Sequence, residues 1–176
     1  MTDTFIPRRD DLLDREQIRE CIYRYARGID RCDEELLRSA YWPESRAHQL
    51  DFSGTRDEFV AWAMPSLQAM ASSMHIIGNI LIHLNGDRAA VESYFHGSHT
   101  FMVDGQYRET VMGGRYLDRF ERRNGAWRIA ERTVVTDWFR DYPDAPDPKA
   151  GPFGMRAVRG ERGALDLSSA LFGVHS

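Results

Sequence analysis

A phenol, a carboxylate and an imidazole stand at spacings that could serve one site. Tyr25-Ala-Arg-Gly-Ile-Asp30, near the end of the first helical stretch, offers the first two, and His75, at the mouth of a strand, offers the third. A carboxylate that accepts from one ring nitrogen fixes the imidazole tautomer and raises the basicity of the other nitrogen. A histidine near neutral pKa can then take or give a proton. A tyrosine hydroxyl beside it would steady a developing enolate oxygen. Removing water from a β-hydroxy carbonyl compound needs those parts: a base for the acidic C–H and an acid for the departing hydroxyl. Each general acid–base step contributes roughly a hundred- to ten-thousandfold.

Plainer roles compete at each position. Asp30 is also placed to cap the helix that begins near Asp33, or to pair with Arg27 or Arg31. His75 is also placed to sit on a strand edge in solvent. A spacing of five turns about 140° on a straight helix, so Tyr25 and Asp30 share a pocket only if the helix ends near Gly28. A further imidazole comes from Tyr94-Phe-His-Gly-Ser-His-Thr-Phe101. Strand alternation puts Phe95, His99 and Phe101 on one face and Tyr94, His96 and Ser98 on the other. His99 is taken as the cavity-facing member, with His96 and Ser98 as the alternatives. Trp138 and Phe139 are candidates for a pocket rim.

The bulk properties narrow the class. The chain has 176 residues, 42% hydrophobic and 28% charged, which suits one globular domain. A formal charge of −4 argues against nucleic acid as the main partner, since phosphate binding needs a basic face. The two cysteines, Cys21 and Cys32, lack metal-ligand spacing, and no phosphate loop or dinucleotide fingerprint occurs, so neither metal nor organic cofactor is expected. With no apolar run of membrane-span length and no signal-like N-terminus, a reduced cytoplasmic location is expected, away from membranes.

Residues 1–13 read as a flexible arm, 14–140 as the domain, and 141–176 as a Pro/Gly-rich tail that covers the pocket, touches a partner subunit or stays mobile. Asp14 is placed to cap the first helix, with Ile18, Ile22, Tyr25 and Ala26 on its inner face. Asp33 caps a short second helix, and Ser53-Gly54-Thr55 turns into a third over about 56–72. Four strands then alternate over 75–84, 89–103, 107–123 and 126–139, joined at Asn85-Gly86-Asp87, Asp104-Gly105 and Asn124-Gly125. Gly113-Gly114 marks a bend in the third, and 48–52 supplies one short extra strand. Helices followed by strands read as α+β, with three N-terminal helices on one face of a curved antiparallel sheet.

The order and spacing of Tyr25-x-x-x-x-Asp30, Met74-His75-x-x-Gly78-Asn79, Asp87-x-Ala89 and Gly114-Arg-Tyr-x-Asp-Arg-Phe120 resemble the SnoaL-like group of the NTF2-like superfamily. That group includes scytalone dehydratase, bile-acid dehydratase, hexachlorocyclohexane dehydrochlorinase and polyketide cyclases. The resemblance implies a cone-shaped fold and a homodimer. It implies an Asp30–His75 dyad, with Tyr25 facing a small, mostly apolar cyclic hydroxy or carbonyl substrate and His99 as a second histidine. About Thr136 stands where the bile-acid enzyme carries an arginine, which points away from a carboxylate-bearing substrate. The same fold also implies two other readings, a non-catalytic binding or assembly module and the small subunit of a ring-hydroxylating oxygenase.

Overall fold

A computed structural model describes residues 9–155 and 158–172. Its first long helix, α1 (Leu12–Arg31), forms where Ile18, Cys21, Ile22, Tyr25, Ala26 and Ile29 recur at helical spacing, and all six are buried. Asp14 does not cap it. The N-cap is Asp11, while Asp14 lies inside the helix and accepts from Arg122 Nη1 at 3.0 Å and Trp127 Nε1 at 2.8 Å, tying α1 to the sheet. The helix does not end at Gly28 either. It runs to Arg31, and Cys32 takes the left-handed conformation with φ 52°. Gly28 answers to a different need: a Cβ there would lie 2.8 Å from the Leu37 amide nitrogen, so glycine lets the second helix approach.

That second helix, α2 (Glu34–Ser39), is capped by the Asp33 side chain, 2.9 Å from Leu36 N. The third, α3 (Arg56–Ala69), starts on a capping box between Thr55 and Glu58. Between them lie β1 (Tyr41–Gln49) and β2 (Phe52–Thr55), an antiparallel pair. Ser53-Gly54-Thr55 is therefore strand rather than turn; the turn falls at Leu50-Asp51, with Leu50 at φ 49°.

The meander follows as β3 (Ser72–Asn85), β4 (Arg88–Val103), β5 (Gln106–Arg123) and β6 (Ala126–Tyr142). Asp104-Gly105 and Asn124-Gly125 both have positive φ at the two central positions, as a tight I′ hairpin turn requires. The six strands are ordered β2-β1-β6-β5-β4-β3, with β1 parallel to β6 and every other pair antiparallel. Register shifts at Gly113/Gly114 and between Ile77 and Ile80 bend the sheet around α1 and α3. At Gly114 the need for glycine is absolute, because a Cβ would fall 2.1 Å from the Val135 carbonyl oxygen. The core packs Ile22, Tyr41 and Phe59 against Phe120, Trp127 and Ile129.

After β6 come two short helices, α4 (Gly151–Gly154) and α5 (Leu167–Leu171). The chain around α5 returns to the C-terminal half of α1, where Arg27 donates to Ser168 Oγ at 2.9 Å. Of the expected N-terminal arm, residues 1–8 lie outside the described residues. Among the described residues no helix is long and apolar enough to cross a membrane.

Candidate active site

Asp30 sits in the last turn of α1 and faces the first residues of β3. Residues two apart on a strand share a face, and here Ser73 and His75 close on the same carboxylate. Ser73 Oγ donates to Asp30 Oδ1 at 2.9 Å, His75 N donates to Oδ2 at 2.7 Å, and His75 Nδ1 lies 2.7 Å from Oδ1. A carboxylate offers only acceptors, which assigns the proton to Nδ1 and leaves Nε2 for a ligand. The two side chains are 8% and 11% exposed. Burial alone would raise the Asp30 carboxyl, but the hydrogen bonds from His75 and Ser73 and the attraction to His75 outweigh it and hold the group below its ordinary range.

His75 forms one wall of a cavity of about 470 Å³. Tyr25, Phe95, Tyr116 and Met112 line it from the sheet and α1, and Trp62, Leu67 and Met70 from α3. Phe95 and Tyr116 stack at 4.5 Å with rings 9° apart, and Tyr25 meets Tyr116 edge-on at 5.4 Å. His99 faces the same space, its ring 5.1 Å from that of His75 in a T-shaped arrangement. Burial, reinforced by charge on His75, drives the His99 pKa down to about 4, so His99 is a neutral imidazole at neutral pH. No Lys, Arg, Asp or Glu lines this cavity among the described residues.

Tyr25 and Asp30 do not occupy one pocket in the simple sense expected from a helix ending at Gly28. The helix continues, so the two point apart: Tyr25 lines the cavity while Asp30 lines a smaller cleft on the far side, with Arg27 and Arg31. His75 borders both spaces and connects them. The alternatives on β4 lie on the outer face: His96 is exposed beside Trp138, and Ser98 donates to Glu109 at 2.6 Å. Trp138 lies on the outer face, paired with Gly113, whereas Phe139 pairs with the cavity residue Met112. Trp138 covers Gly113, where a Cβ would fall 2.5 Å from its ring, and Phe139 is 68% exposed. Thr136 does line the cavity.

Some contributors carried no sequence signal of their own. Ser73 is one serine among many, marked only by standing two residues before His75. Gly97 lies between the two histidines, and a Cβ there would be 3.2 Å from His99 Cε1 and 3.4 Å from His75 Nε2. Behind Tyr25, Arg132 and Asp118 form a fully buried bidentate pair at 2.7 and 2.6 Å. The Arg132 guanidinium lies 4.0 Å from the Tyr25 ring and 4.1 Å from the Tyr116 ring. Breaking such a pair typically costs about 3–5 kcal/mol, so it fixes the sheet residue Tyr116 and the helix residue Tyr25 in common. Its cue, an Asp and an Arg fourteen apart on paired strands, appears only once the β5–β6 register is known. Among the described residues no three His, Cys, Asp or Glu side chains cluster to hold a metal ion.

An α+β chain whose open, curved six-stranded sheet packs against its helices has the NTF2-like cone fold. Within it, the chain belongs to the SnoaL-like domain family, whose model matches residues 10–133. Solved structures agree on the fold. A scytalone dehydratase-like protein from Novosphingobium aromaticivorans DSM 12444 superposes with TM-score 0.67 at 21% identity, covering 81% of this chain and 92% of its own. A type 2 hexachlorocyclohexane dehydrochlorinase (LinA) gives 0.71 at 18%, covering 81% and 97%. An aromatic ring hydroxylase-like protein, also from N. aromaticivorans, gives 0.65 at 16%, covering 74% and 94%. No curated protein matches the chain significantly.

Proposed function

We propose that this protein is a cofactor-independent, dehydratase-like lyase or isomerase acting on a small, uncharged cyclic hydroxy or carbonyl compound. The observation that carries this reading is the 2.7 Å contact between His75 Nδ1 and Asp30 at the wall of an apolar cavity. In the reaction, His75 Nε2 removes the proton α to the carbonyl, and Asp30 stabilises the imidazolium that results. The Tyr25 hydroxyl donates to the enolate oxygen as charge develops there. The enolate then expels the β-hydroxyl, which leaves as water after taking the proton back from the His75 imidazolium. In an isomerisation the same proton would return to a different carbon.

The substrate class follows from the cavity wall. A carboxylate or phosphate would lose its water shell there without meeting a cation, so a neutral ligand is favoured. The volume suits one or a few fused rings. The test is turnover of a panel of cyclic β-hydroxy ketones, followed by enone absorbance. His75→Ala and Asp30→Asn are expected to lower kcat at least about a hundredfold with the circular dichroism spectrum retained. Turnover within a few-fold of wild type in either variant would exclude the dyad. Binding without turnover by the wild-type protein would favour the non-catalytic module instead. The same reading places the protein in the cytoplasm and pairs two copies of the chain through the outer face of the sheet.

A further inference from the structure

The last four carbonyls of an α-helix lack partners within the helix and carry the negative end of its dipole. At the end of α1, Cys32 N and Asp33 N return to Ile29 and Gly28, which leaves the Asp30 carbonyl to be satisfied from outside. The group that satisfies it comes from the far end of the chain: Arg162 Nη1 donates to Asp30 O. The same guanidinium reaches a second helix end, with Nη2 donating at 3.4 Å to the carbonyl of Met70, the C-cap of α3. One of these residues carries the carboxylate of the dyad and the other lines the cavity.

The segment that presents Arg162 is anchored by more than that one side chain. Asp166 accepts from Glu161 N at 2.9 Å, from Ser168 N at 3.0 Å and from Arg31 Nη1 at 3.1 Å. Arg31 also donates from Nη1 to the Glu161 carbonyl at 3.1 Å and from Nη2 to the Ser73 carbonyl at 3.3 Å. Ser73 is the residue whose hydroxyl holds Asp30. Two routes therefore run from this segment to the dyad, one through the Asp30 backbone and one through Arg31 and Ser73.

We propose that Arg162 is a positioning residue for the Asp30–His75 dyad, joining the C-terminal ends of α1 and α3 at the cavity wall and making the C-terminal segment part of the site. Its catalytic meaning rests on the function proposed above, but its geometry does not. Cationic side chains are favoured where helix carbonyls end, and here one cation serves two such ends. The charge also stands close enough to His99 to help keep that ring neutral, together with burial and His75, while Asp30 acts in the opposite sense.

The experiment uses the full chain without substrate. Proton NMR follows the downfield Nδ1–H resonance of His75, and histidine carbon–proton spectra follow the titration of His99. In wild type the Nδ1–H resonance is expected to persist at low temperature. In Arg162→Met it is expected to be lost at a temperature where wild type keeps it, and the His99 midpoint is expected to rise from about 4. A segment that merely lends stability would lower the melting temperature without moving the His99 midpoint. If Arg162→Met fails to fold, Arg162→Lys keeps the charge but not the two-point bridge, and should lose the resonance while keeping the midpoint. A resonance unchanged in whichever variant folds would overturn the proposal. Absence of the resonance in wild type would overturn the dyad itself, and the function built on it.

Discussion

His99 shows how one half-buried side chain can set the acid sensitivity of the whole protein. Its pKa is about 4 in the folded chain against 6.5 for a free imidazole, with burial as the main cause. Between those values the unfolded chain binds a proton that the folded chain refuses, so stability is lost as pH falls from about 6.5 to about 4. Asp30, also depressed, acts in a lower window: its contribution persists above the ordinary carboxylate value of 3.8 and disappears as pH falls through the folded value. The melting temperature of wild type is expected to drop steadily from pH 6.5 to 4, and His99→Gln is expected to flatten that slope. Parallel slopes would show that His99 does not carry the effect. At this scale the sequence displayed the reactive groups, because Asp, His and Tyr announce their chemistry by type. Ser73, Gly97 and Arg162 stayed hidden, because a serine, a glycine and a tail arginine acquire a role only from what the fold brings beside them.

At the scale of elements, the contact between α1 and α2 controls how the end of α1 presents Asp30. Gly28 → Ala should test it. Alanine is the better helix former by about 1 kcal/mol, but the added Cβ would lie 2.8–2.9 Å from Leu37 N, Cα and Cβ, and a backbone cannot swing aside as a side chain can. The crowding should win, with a net loss of about 1–3 kcal/mol measured by urea denaturation. A stabilised variant would mean that α2 moves freely against α1. The same position shows why elements were only partly legible. A glycine near a helix end looks like a terminator, yet this helix runs on to a left-handed Cys32. The Asp104-Gly105 and Asn124-Gly125 hairpins carry their own local chemistry, so they could be read directly, while the first hairpin turns one residue later, at Gly86-Asp87. The β1–β2 turn at Leu50-Asp51 has no glycine, and β1 pairs in parallel with a strand far later in the chain, Tyr41 with Ile129 and His48 with Thr133, a partnership no local pattern can encode.

For the whole molecule, the face of the sheet turned away from the cavity is the surface that calls for a partner. Met74, Ile76, Leu81, Tyr94 and Leu117 project there from three adjacent strands, each between 38% and 54% exposed. Glu92 lies between Leu81 and Leu117 in the ladder. Its charge is already met by Arg115 at 3.1 Å, and Arg115 is met in turn by Asp137 at 3.0 Å. Contiguous apolar surface of this kind usually marks a contact site. A two-fold axis would let the same patch cover itself, given roughly 800 Å² from each partner. Light scattering should therefore give twice the 20.3 kDa chain mass. Replacing Leu81 and Leu117 together by arginine should halve that value by setting like charges opposite one another across the axis. A wild-type mass of one chain at micromolar concentration would remove the homodimer. Both positions lie on the opposite side of the sheet from His75 and His99, so the arginine variant should keep the turnover per chain of the wild type. Loss of turnover on dissociation would instead mean that the partner helps to complete the cavity.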